Sequence, residues 1–208
     1  MEVVMPLLAR FKLNNVENVF NDYVELETED YKLRKLNKND ARDIVDIYEN
    51  KDIMTYDRAL FIKSESKARK FIEELNDMYE ERERIDWAIE DKKLEKVIGL
   101  IALFNISILD SRAEVGYVLN KAYTNKGIMQ YILKWIVDFS FNVLGIHKLE
   151  ANINAQNAPS IKICEKIGFE KEGYRKKQVF DRKTGEYNDN YTYGLINDNW
   201  EIILERIE

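Results

Sequence analysis

The chain has 208 residues, 45% hydrophobic and 34% charged, with only two prolines, which fits one compact domain spanning 1–208 and leaves little room for a long linker. No apolar run approaches the ~18 residues of a membrane span, and the opening MEVVMPLLARFK is too short and too polar for a secretory signal, so a cytoplasmic protein with no membrane partner is expected. A formal charge of −6 without a long basic run argues against nucleic acid and favours a cationic partner, while the single cysteine, Cys164, rules out an internal disulfide or a thiolate metal cluster within one chain.

Along the chain, helical and strand patterns alternate. Leu7, Leu8, Phe11, Val16, Val19 and Phe20 are loosely helical in spacing, which suggests an appended helix over 1–22. Residues 31–36 alternate as a first strand, and Asn39 or Asp40 caps a helix carrying Ile44, Val45, Ile47 and Tyr48. A second helix is expected over 66–84. Residues 87–90 and 97–104 read as paired strands, the second apolar enough to be buried on both faces, and 113–119 as a third. A helix opening near Lys126 places Ile128, Ile132, Trp135, Ile136, Phe139 and Val143 on one core-facing stripe, and Gly145 ends it. A strand over 148–154, a capped helix, and a terminal antiparallel pair over 169–180 and 190–196 complete the pattern, with Gly185 in the last turn.

Two segments carry chemistry. The run NAPSIKICEKIGFEKEG, from Asn157 to Gly173, has a helix cap at Asn157, a proline suited to the first turn at Pro159, and Gly168 as a left-handed exit before a strand. The run AYTNKGIM, residues 122–129, joins a strand to a helix through a glycine turn, an arrangement whose free amides and positive dipole end bind phosphate oxygens.

These segments, in this order and at this separation, resemble the cofactor motifs of the GNAT acetyltransferases, and most closely the ribosomal-protein and small-amine branch. Asn157, Ser160, Glu165, Lys166, Gly168, Phe169, Glu172 and Gly173 fall where the family's motif B has them. Lys126, Gly127, Ile128 and Met129 match the branch's phosphate turn, with Thr124 and Asn125 standing where tryptophan and glycine are usual. Leu33 and Arg34, Arg112 to Leu119, and Gly185 to Asp189 are similar to further family segments, so the resemblance runs from about Val24 to Leu195.

The resemblance implies a GNAT fold of α/β (α+β) class: a mixed, mostly antiparallel sheet, splayed between its fourth and fifth strands, with helices on both faces. Acetyl-CoA would lie in the splay. Thr124, Asn125, Lys126, Gly127, Ile128 and Met129 would hold its pyrophosphate, the backbone of Tyr117, Val118 and Leu119 its pantetheine, and Asn157 and Ser160 would add contacts. The implied reaction is direct acetyl transfer to a primary amine. Most members carry a tyrosine as proton donor four residues beyond Ser160, where this chain has Cys164; Ser160 then becomes the donor, although it also suits a first-turn helix serine and Cys164 a small buried hydrophobe. Related N-terminal acetyltransferases carry a catalytic glutamate where this chain has Asn152 or Val179, which leaves Glu114 and Glu150 as nearby carboxylates able to act through water. His147, opening a strand, reads as structural.

Expected partners are an amine-bearing small molecule or a protein N-terminus, with a homodimer as an allowed assembly. A peptide N-terminus leads because its amine, near pKa 8, needs less help from a base than an alkylamine near 10. Residues 50–64 and the turn around 182–188 are expected to wall the acceptor pocket. The rival reading is a regulatory module that keeps the acyl-CoA cleft without turnover.

Overall fold

The computed structural model describes residues 19–49, 62–181 and 185–200. They form an eight-stranded sheet in the order β1-β2-β3-β4-β5-β6-β8-β7. The strands are β1 (Leu26–Glu27), β2 (Tyr31–Arg34), β3 (Arg84–Asp91), β4 (Lys96–Ser107), β5 (Arg112–Leu119), β6 (Lys148–Asn154), β7 (Glu170–Asp181) and β8 (Glu186–Ile196). The helices are α1 (Ala41–Tyr48), α2 (Glu65–Glu80), α3 (Ile128–Asn142) and α4 (Ala158–Ile167). Every strand pair is antiparallel except β5 with β6.

Most of the helix expected over 1–22 lies outside the described residues. Where the chain becomes described, Val19 is buried and its carbonyl accepts from Tyr79 Oη at 2.6 Å, and the backbone then turns into β1. Of the expected caps, Asp40 is the N-cap of α1 but makes no side-chain cap bond there; the capping box closes the turn before it, where the Asn37 side chain accepts from Asn39 N and Asp40 reaches back to Asn37 N. Helix α2 stops at Glu80, short of the expected 84. Arg82 is left-handed (φ 62°), and Arg84 already belongs to β3, where its Nε and Nη2 donate to the two oxygens of Asp86.

The sheet separates two cores. Trp87, Ile101, Leu103, Val115 and Leu149 pack under α3 and α4, while Ala88, Val97, Leu100 and Val118 pack under α1 and α2. Strand β4 supplies both, and Val97 through Leu103 are buried throughout, as an apolar central strand requires. Helix α3 is buried on more than the expected stripe. Asp138, on its far side, accepts from Trp200 Nε1 at 3.0 Å and from Asn142 Nδ2 at 2.8 Å, so the segment after β8 covers the face that a surface helix would leave wet.

The opening lies where it was expected; the two-residue β1 shifts the count, so strands four and five become β5 and β6. The two pair only at Arg112–Lys148, Ala113–Leu149 and Glu114–Glu150. Beyond Glu114, β5 pairs with β4 alone and β6 with β8 alone.

Candidate functional site

Between the diverging ends of β5 and β6 lies a cleft of about 1070 Å³. Its backbone walls follow from the ladder alternation. Asn120 N donates to Ile98 O on β4, so residues two apart from Asn120 also turn their backbone groups to β4, and the intervening Tyr117 and Leu119 turn theirs to the opening. Val118 therefore presents its backbone to β4, as its carbonyl beside Gly99 confirms, and not to the cleft. On the opposite wall, Asn197 N bonds His147 O, and the same alternation leaves the backbone of Asn152 facing the opening. An extended ligand with amide groups finds unpaired strand edges on both sides.

The cleft ends at the start of α3. Asn125 (φ 60°) and Gly127 (φ 79°) take left-handed conformations, and the first helical bond runs from Tyr131 N to Gly127 O. The amides of Ile128, Met129 and Gln130 consequently have no acceptor within the helix. A Cβ built on Gly127 would meet no protein atom within 4 Å, so the turn is an open cradle. Thr124, Asn125, Gly127, Ile128 and Met129 line the cleft. Lys126 is not in its wall and lies over the Tyr123 ring, 5.2 Å from the centroid.

On α4, Asn157 spends its side-chain oxygen on the cap, accepting from Ser160 N at 3.2 Å, and both residues line the cleft. At the other end Gly168, left-handed at φ 106°, lets its own amide and that of Phe169 close on Cys164 O. Cys164 is fully buried beneath the cleft wall, and burial pushes its thiol up to about 11. Its Sγ lies 3.6 Å from Tyr117 Oη, which is also 3.4 Å from the Ser160 carbonyl; burial holds that phenol well above its ordinary value. The Tyr117 side chain is thus tucked under α4, a placement that strand alternation alone does not reveal.

The two candidate carboxylates part company. Glu114 lines the cleft where β5 and β6 separate, accepting from Asn105 Nδ2 at 3.0 Å and from Asn152 Nδ2 at 2.9 Å, with Thr192 Oγ1 donating to Asn152 in turn. Glu150 lies outside the wall and is engaged by Arg112 at 3.2 Å and Lys148 at 3.4 Å. Asn152 therefore holds a carboxylate contributed by the neighbouring strand. His147 is exposed and 3.9 Å from Asp198.

One wall was not foreseen. Between the pairs Arg175–Asn190 and Val179–Asn188, three residues of β7 face Asp189 alone. Lys177 is left-handed in this bulge (φ 49°); its amide bonds Asp189 Oδ1 at 2.7 Å and Tyr174 Oη bonds Oδ2, which hold the Asp189 carboxyl below its usual range. Arg175, Gln178 and Val179 thereby join the cleft wall beside Asn190. On the β3 side, Arg84 and Asp86 complete the lining, with burial pushing the Asp86 carboxyl up against the pull of Arg84. Of the expected acceptor walls, residues 50–61 and 182–184 lie outside the described residues.

Comparison with known proteins agrees with this geometry. The acetyltransferase (GNAT) domain model matches residues 31–170. The probable N-acetyltransferase YjcK of Bacillus subtilis (strain 168) is 33% identical over 135 residues, 64% of this chain and 73% of that protein. The spermidine N(1)-acetyltransferase of Vibrio cholerae is 26% identical over 159 residues, 76% of this chain and 87% of that protein. The crystal structure of ribosomal-protein-S5-alanine acetyltransferase from Vibrio fischeri aligns with a TM-score of 0.73 at 25% identity, over 85% of this chain and 98% of that one. Matched over well more than half its length by the family model, the chain belongs to the GNAT family of N-acetyltransferases.

Proposed function

We propose that residues 1–208 act as one acetyl-CoA-dependent N-acetyltransferase whose acceptor is the α-amine of a peptide or protein N-terminus, ahead of small polyamines and amine antibiotics. The observation that carries the reading is Glu114, a carboxylate oriented by two neutral amides at the point where the sheet opens. No cation among the described residues pairs with it, in contrast to Glu150. Acetyl-CoA, the acyl donor of the family, supplies an activated thioester when bound. The α3 amides and the cleft-lining Lys121, Lys162 and Lys166 suit its phosphates, and the edges at Tyr117, Leu119 and Asn152 suit the amides of its pantetheine arm.

Glu114 takes up the proton that the amine loses, directly or through one water, as its nitrogen bonds the acetyl carbon and the carbon–sulfur bond breaks. Ser160, at the first turn of α4, gives its hydroxyl proton to the departing thiolate and regains one from solvent. A carboxylate is a modest base, and an α-amine near pKa 8 asks less of it than an alkylamine near 10.

The test is the pH dependence of kcat/KM on an N-terminal peptide. Glu114→Gln is expected to lower it about 10²-fold and to remove the acid limb of the profile, the usual scale and signature of losing a general base. Ser160→Ala in the same assay should lower kcat by a similar ~10²-fold with the acetyl-CoA KM little changed. A Glu114→Gln enzyme with an unaltered rate and profile would mean that the amine loses its proton to solvent.

A further inference from the structure

Asn190 is out of keeping with the polar side chains around it. It is only 8% exposed and lines the cleft, yet its Oδ1 finds no hydrogen-bond partner among the described residues. Its neighbours on the same wall are all engaged: Asn105 and Asn152 donate to Glu114, and Asn154 accepts from Gln156 N at 2.9 Å. A buried amide oxygen left without a donor is destabilising and is uncommon unless a ligand or water completes it.

The register places it usefully. Asn190 lies opposite Asn154 on β6 and opposite Arg175 on β7, so the three share one face of the sheet. That face also holds Asn152, and through it Glu114, because Asn152 lies opposite Thr192, two residues along β8 from Asn190. From Asn152 to Asn190 is one diagonal step across the β6–β8 pair, roughly 7–8 Å between Cα atoms. An extended peptide covers that in about two residues.

We propose that Asn190 and Arg175 form a subsite for the main chain of the acceptor, taking up the N–H and C=O of a peptide group about two residues beyond the reacting amine. The proposal rests on the reading of the Glu114 end as the acceptor end. A side-chain amide carries one acceptor and one NH2 donor, the complement of a peptide group. A half-turn about χ2 decides which of the two meets the ligand. Arg175 adds a second donor suited to a carbonyl or carboxylate oxygen. The same cation, followed by Lys176 and Lys177 and only partly offset by Asp189, disfavours a second ammonium at this point. The subsite thus selects an N-terminal peptide over a polyamine, with preference for an acidic side chain where the peptide passes the bulge.

Three probes test it: a hexapeptide with a free alanine N-terminus, a simple alkylamine, and spermidine. Asn190→Leu is expected to lower the ratio of kcat/KM for peptide to that for alkylamine about tenfold, through KM. Arg175→Glu should shift the ratio of peptide to spermidine towards spermidine. Substrate chemistry gives an arm that needs no variant: N-methylation of each of the first three peptide bonds in turn should raise KM at one of them in the native enzyme, and that penalty should shrink in Asn190→Leu. If native enzyme acetylates the peptide but neither N-methylation nor Asn190→Leu changes the ratios, the subsite is overturned and the Glu114 reading stands. If native enzyme ignores the peptide and acetylates spermidine or the alkylamine, the peptide reading itself falls, and the subsite with it.

Discussion

Four residues beyond Ser160, Cys164 turns inward from α4 and is fully buried, with Tyr117 Oη against its sulfur. A thiol pushed up to about 11 by burial gives no thiolate near neutrality, and the group does not reach the cleft. The consequence is a stability effect. Because the folded value is raised, the buried neutral thiol contributes fully below the unfolded value of about 8.5, and that contribution is lost as pH rises towards about 11. The stability difference between the native chain and Cys164→Ala, from denaturant unfolding, should narrow by on the order of 2 kcal/mol across that window, with the titration of other groups cancelling between the two proteins. A flat difference would mean that the thiol is solvated. The residue types of the site were legible in the sequence, their relations less so. Glu114 was recognisable as a candidate carboxylate, but its link to Asn152 is a contact between strands 38 residues apart, and no local pattern encodes such a pairing. The direction of the Val118 backbone likewise depends on the β4 register.

Among the elements, the start of α3 ties sequence to chemistry most directly. Gly127 is the N-cap at φ 79°, where any side chain is strained, and a Cβ would stand in the open cradle instead of against protein. Gly127→Ala is therefore expected to cost about 1 kcal/mol of stability and to weaken coenzyme A binding roughly tenfold by calorimetry. Unchanged affinity would place the phosphates elsewhere. This turn could be read from the chain because glycine, helix start and preceding strand are contiguous. The same holds for the Asn157 cap and the Gly168 exit of α4. The ends of α2 and the bulge in β7 could not be read in that way. Glu80 to Arg84 continue a helical composition, and it is the antiparallel ladder with β4, beginning at Arg84 opposite Phe104, that takes the chain into a strand. The bulge exists because Asp189, on the partner strand, captures Lys177 N and Tyr174 Oη.

For the whole molecule, net charge and local charge point in opposite directions. The chain carries −6, which taken alone favours a cationic ligand and repels a polyanion such as coenzyme A. The cleft is lined instead by Arg84, Lys121, Lys162, Lys166 and Arg175 against Asp86 and Glu114, and the acidic excess lies elsewhere on the surface. The fold explains the separation. Helices α3 and α4 cover one face of the sheet and present amides and lysines to the cleft, while the other face brings Glu114, Asn152, Asn190 and Arg175 to it, and the two meet only where β5 leaves β6. The strand and helix alternation made the fold class readable, but the insertion of β8 between β6 and β7, which brings Asn190 and Arg175 beside Asn154, is a product of long-range pairing. Ionic strength decides which charge governs binding. Raising salt from about 0.05 to about 0.5 M shortens the screening length from roughly 14 to roughly 4 Å, so attraction by the cleft lysines predicts that the coenzyme A dissociation constant rises severalfold. Domination by the acidic surface predicts the reverse, tighter binding as salt screens the repulsion. Titration calorimetry across that range separates the two, and tightening with salt would show that the cleft cations do not bind the phosphates.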